Sequence, residues 1–154
     1  MRAAVDALWS AQHRHPFVRA IGEGTLDPER FRHWVRQDYR FLIQYGRVFA
    51  LAAARAPDPE LLARFTDLLW STIRHEMDLH RRLAAELGIS AQDLEREEMA
   101  PATQAYTDFL LATAAVGDFA ELAAALLPCM WAYSEIGHEL DQGPRPVDPR
   151  LAAW

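Results

Sequence analysis

The chain has 154 residues, 51% hydrophobic and 25% charged, enough for one globular domain with a real core and unlike a disordered or fibrous composition. Its net charge of -6, with all 16 basic residues arginine, argues against a nucleic-acid surface, which needs clustered positive charge in excess. A single cysteine rules out an internal disulfide, and with no signal peptide and no apolar run long enough to span a bilayer, a cytoplasmic location without membrane contact is expected.

Periodicity is helical throughout. Val5, Leu8 and Trp9 predict a helix from Met1 to about His13, ending before His15-Pro16. Phe17, Val18 and Ile21 follow, and Gly22-Glu23-Gly24-Thr25 reads as a loop. Asp27-Pro28 opens a helix with a capping aspartate and proline in the first position. Its stripe of Phe31, Trp34, Val35, Phe41, Leu42, Tyr45, Val48 and Phe49 runs to Arg55, where Pro57 and Pro59 close it. Asp38 stands on that apolar stripe, where a leucine would be routine.

One helix is expected from about Pro59 to Leu87, stopped by Gly88. Ser90 with Asp93 opens a short acidic helix to about Glu98, and Pro101 lies in the break that follows. Tyr106, Phe109, Leu110 and Thr113 stripe the next helix, which ends at Gly117. Asp118 caps another that reaches about Gln142, and Asp148-Pro149 starts a last short one. With no strand pattern and no repeat, residues 1–154 are expected to form a single all-α domain, a compact helical bundle.

Within the helix that Asp118 caps, Pro128 removes a backbone hydrogen bond and should bend the chain just before Cys129. Tyr133, four residues on, shares the face of the thiol. The bland alternative makes Cys129 a small buried hydrophobe and Tyr133 a core residue. In His75-Glu76-Met77-Asp78-Leu79-His80 the histidines are five apart rather than the four of a His-Glu-x-x-His zinc site, so a charged solvent face is expected. Glu135-Ile136-Gly137-His138 matches the Glu-x-x-His element of di-iron bundles, but that element normally comes twice; with Asp38, Glu76 and His80 as additional ligands, a metal oxidase is a minority reading. No metal or cofactor is expected. What remains is a carboxylate in an apolar stripe (Asp38), aromatics on several helices (Phe41, Tyr45, Tyr106, Tyr133) and one thiol (Cys129). These describe a pocket for a flat, nitrogen-bearing ring: aromatics to stack on it, a carboxylate for its amine, and a nucleophile.

His15-Pro16-Phe17-Val18, Ile21-Gly22-Glu23-Gly24-Thr25-Leu26, Arg36-Gln37-Asp38-Tyr39, Ala105-Tyr106-Thr107-Asp108-Phe109-Leu110 and Leu127-Pro128-Cys129-x-Trp131-x-Tyr133-x-Glu135-Ile136-Gly137 together resemble the TenA, or thiaminase II, family, in its cysteine-containing branch. The resemblance implies a haem-oxygenase-like helical bundle, a homotetramer, and hydrolysis of 4-amino-5-aminomethyl-2-methylpyrimidine, or of thiamin, to the hydroxymethyl pyrimidine in thiamin salvage. It implies Cys129 as nucleophile, Asp38 as the carboxylate that binds the pyrimidine amine and ring nitrogen, Tyr106 as an aromatic wall, Tyr133 near the thiol, and Phe41 and Tyr45 lining the pocket. Members of that family continue past the region of Trp154 into helices carrying another pocket tyrosine and a catalytic glutamate. The expectation is therefore a C-terminally incomplete bundle: either the sequence is a piece of a longer protein, or the chain has lost a general acid or base worth about a hundred- to ten-thousandfold in rate and is slow or inactive. A non-catalytic pyrimidine-binding protein is the alternative from a different class.

Overall fold

The computed structural model describes residues 2–154; Met1, the expected start of the first helix, lies outside the described residues. The described residues contain helices and no strand, as the periodicity predicts. They fall into two compact units: the residues up to Phe31 together with Leu127–Trp154, and Arg32–Leu126.

The first unit begins with a 3₁₀ turn, Arg2–Val5, followed by α1 (Asp6–His13) and α2 (Pro16–Gly22). It also holds the first turn of α3 (Pro28–Ala54), the second half of α8 (Phe119–Asp141) and the short α9 (Pro149–Ala152). The Nδ1 of His15 accepts from the amide of Phe17 at 3.2 Å and Pro16 supplies the first helical position, which is why α2 starts where it does. Gly22 closes α2 instead of opening a loop: a Cβ there would lie 2.7 Å from the end of the Leu140 side chain, so the glycine lets α2 approach α8 without moving that leucine. A polar clasp ties α1 to α8. Glu135 accepts from the indole nitrogens of both Trp9 and Trp131 at 2.7 Å, the two indoles meet edge to face at 5.3 Å, and His13 reaches Glu139 at 2.9 Å.

The second unit contains the rest of α3, then α4 (Pro59–Ser71), a π-helical turn (Thr72–Glu76), α5 (Met77–Glu86), α6 (Ala91–Arg96), α7 (Pro101–Val116) and the start of α8. Capping explains the boundaries. The carboxylate of Asp58 accepts from the amide of Leu61 at 2.8 Å, and Asp118 and Glu121 satisfy each other's amides at 2.8 Å in a reciprocal box. Gly88, at φ +71°, ends α5: the amide of Ile89 reaches the Ala84 carbonyl and that of Gly88 the Ala85 carbonyl, the two bonds of a Schellman stop. Gln37, buried on α3, donates to the Glu98 carbonyl at 2.9 Å and accepts from the amide of Ala100 at 2.8 Å and from Thr103, pinning the extended segment before Pro101.

The helix expected from Pro59 to Leu87 is thus interrupted by a π turn. One extra residue in a turn shifts the phase of everything after it, so a face assigned from α-helical spacing across Thr72–Glu76 is wrong beyond it. In contrast, α8 runs through Pro128 as one helix. The carbonyl that loses its donor belongs to Ala124, an exposed residue, where water can replace the missing amide.

Candidate active site

In the second unit α3 presents Asp38, Phe41 and Tyr45 at a spacing of three and four, one stripe along the helix. The rings form a stack: Phe41 lies 4.9 Å from Tyr45 and 5.7 Å from Tyr106 of α7, the latter pair parallel to within 2°. Tyr45 is buried and leans on Phe49 at 4.5 Å, which anchors the stack in the core; Tyr106 is 38% exposed and forms its open end. Three expected pocket aromatics, from two helices, are therefore together.

Asp38 is not alone on its stripe. Its Oδ2 lies 2.7 Å from the Nε2 of His80 on α5, and His80 is only 5% exposed. The other ring nitrogen, Nδ1, is 2.9 Å from the Glu76 carbonyl oxygen. A carbonyl can only accept, so Nδ1 carries a proton, and a carboxylate 2.7 Å from Nε2 favours the doubly protonated, cationic ring. Burial works against that charge, but the hydrogen bond and charge of Asp38 and the contacts of Glu76 outweigh it, so the pKa of His80 is raised. The ring of Trp34 lies 5.4 Å from that of His80. Glu76 is exposed as a residue, yet partial burial of its carboxyl group and the charge of Asp38 raise its pKa against the opposing pull of His80 and a Thr72 hydrogen bond.

His80 corrects the expectation of a charged solvent face. His75, Glu76 and Asp78 are exposed, whereas His80 falls on the buried stripe Met77, Leu83, Ala84 and Leu87 of α5. The signal was in the sequence: those apolar residues lie at helical spacing around His80, and a carboxylate on an apolar stripe needs a buried partner.

In the first unit Cys129 is half-buried on α8, and Tyr133, one turn on, is 48% exposed and lies 5.9 Å from the ring of Trp154. Glu135, read above as a metal-ligand element, is bonded to two indoles instead. Among the described residues no group of three or more His, Cys, Asp or Glu side chains is arranged to hold a metal ion. No helix among them is long and apolar enough to cross a membrane.

The profile of the TENA/THI-4/PQQC family matches residues 2–154. The chain is 44% identical over 148 residues to an aminopyrimidine aminohydrolase of Halalkalibacterium halodurans, covering 96% of this chain and 66% of that protein. It is 35% identical over 143 residues to an aminopyrimidine aminohydrolase of Helicobacter pylori, covering 93% of this chain and again 66% of the relative. A crystal structure described as a TenA family transcription regulator from Silicibacter superposes with a TM-score of 0.91 at 32% identity, covering 99% of this chain and 73% of that one. The chain thus spans just under two thirds of the length of the curated relatives it matches.

Proposed function

Because the chain belongs to the TENA/THI-4/PQQC family, we propose that it acts as an aminopyrimidine aminohydrolase, converting 4-amino-5-aminomethyl-2-methylpyrimidine, or thiamin, into the hydroxymethyl pyrimidine of thiamin salvage. The observation that carries this reading is Asp38, 2.7 Å from the buried His80 and placed on the same stripe as an aromatic stack, a suitable acceptor for the amine of a flat heterocycle. Phe41, Tyr45 and Tyr106 supply the stacking surface, Asp38 accepts from the amine and ring nitrogen, Cys129 is the nucleophile and Tyr133 acts beside the thiol. The thiolate adds to the electron-poor ring, the ring nitrogens expel ammonia from the exocyclic carbon, water adds there, and the thiol leaves with the ring restored. One displacement becomes two easier steps.

The name of the Silicibacter relative refers to transcription, but a net charge of -6 without lysine is a poor match to a phosphate backbone, and we favour the hydrolase. The same proposal takes residues 1–154 as one family domain, in a cytoplasmic homotetramer. Incubation with the aminomethyl pyrimidine and mass spectrometry of the products tests it: equimolar hydroxymethyl pyrimidine and ammonia are expected. Recovery of unchanged substrate at high protein concentration, with tight binding of the hydroxymethyl pyrimidine, would instead identify a binding protein.

A further inference from the structure

We infer that His80 is a positioning residue for Asp38, holding in place the carboxylate that receives the pyrimidine amine; this rests on the proposed function. A carboxylate on an apolar stripe has no water to orient it, and its torsion is free unless something holds it. His80 holds it. Its ring is itself held, Nδ1 donating to the Glu76 carbonyl at 2.9 Å and the Trp34 ring lying 5.4 Å away, so Nε2 is kept 2.7 Å from Asp38 Oδ2, an ion-pair contact on a fixed base. One bond occupies one of about four acceptor positions on a carboxylate and leaves the others for an incoming amine.

The π turn is part of the device. It ends at Glu76, whose carbonyl anchors the imidazole, and α5 begins at the next residue, placing His80 on the buried stripe. π turns inserted in α-helices are common at functional sites because they redirect side chains in this way. The charged groups facing His80 are Asp38 from α3 and Glu76 from its own segment, and both support the imidazolium. When His80 loses its proton at alkaline pH, the proton on Nδ1 stays with the Glu76 carbonyl, and Nε2 turns a lone pair toward Asp38. The carboxylate then loses its partner, and substrate affinity falls.

The test compares the protein with its His80→Gln and His80→Phe variants, reading calorimetric affinity for hydroxymethyl pyrimidine across pH and, separately, KM and kcat for the aminomethyl pyrimidine. His80→Phe keeps the ring volume without a donor and should weaken binding at least about tenfold, chiefly in KM, the worth of one charge-assisted hydrogen bond. His80→Gln keeps an uncharged donor and should recover part of that affinity while abolishing the alkaline loss seen in the parent protein. If His80→Phe misfolds by circular dichroism, the comparison of the parent with His80→Gln decides alone. Parent-like affinity in His80→Phe, or an unchanged alkaline limb in His80→Gln, overturns the positioning role while leaving the hydrolase intact. A parent protein that neither binds nor converts the pyrimidine at any pH sinks the proposed function, and this inference with it.

Discussion

At the scale of single residues, the Asp38 and His80 pair links the site to stability. The pKa of His80 is raised above its ordinary 6.5, so the folded state holds that proton more tightly than the unfolded chain. Its contribution is complete below about pH 6.5 and is lost as pH climbs through the raised value. Glu76, raised from 4.5, acts in the same sense: its contribution is present below that value and is lost as pH rises through the raised one. Thermal unfolding should therefore show Tm falling as pH is raised from 6.5, and Asp38→Asn should flatten that slope. At pH 6.5 the same substitution should lower stability by about 1–3 kcal/mol, because it leaves a buried imidazolium without its counter-charge; a Tm equal to the parent's at that pH would count against the pair. Asp38 was legible from sequence as an anomaly on an apolar stripe. The burial of His80 was legible too, in the spacing of Met77, Leu83 and Ala84 around it, but its pairing with Asp38 was not, because the two are remote in sequence.

Among the elements, those announced by local chemistry were read closely. The caps at Asp27, Ser90 and Asp118 and the stop at Gly88 are hydrogen-bonding motifs confined to four or five residues, so no distant contact overrides them. The π turn over Thr72–Glu76 has no such signature, and Gly22 looked like a loop because the tight approach of Leu140 is a tertiary demand. Two predictions belong here. Gly88→Ala forces a side chain into φ +71° and should destabilise the protein by about 1 kcal/mol in urea unfolding, with α5 the first helix to lose amide protection in hydrogen exchange. Pro128→Ala restores the amide that α8 lacks and should raise Tm; because Pro128 precedes the proposed nucleophile Cys129 directly, turnover should fall as stability rises. A Pro128→Ala variant that is both more stable and equally active would show the proline to be incidental.

For the whole molecule, the all-α class followed from periodicity and held, and the family follows from a match over residues 2–154. Large apolar side chains remain exposed: Val116 at 87%, and Leu62, Trp70, Phe109, Met130 and Trp131. Surface of that kind usually marks contact with another chain, in keeping with the proposed homotetramer. Sedimentation should show self-association that persists at high salt, since the surface concerned is apolar; a monomer at micromolar concentration would contradict it. The roles proposed for Cys129 and Asp38 stand or fall together in one reaction. The most direct measurement is ammonia release from 4-amino-5-aminomethyl-2-methylpyrimidine by the protein and by its Cys129→Ser variant, side by side. Release by the parent that disappears in Cys129→Ser is the predicted result, while equal release from both, or none from either, would contradict the cysteine hydrolase.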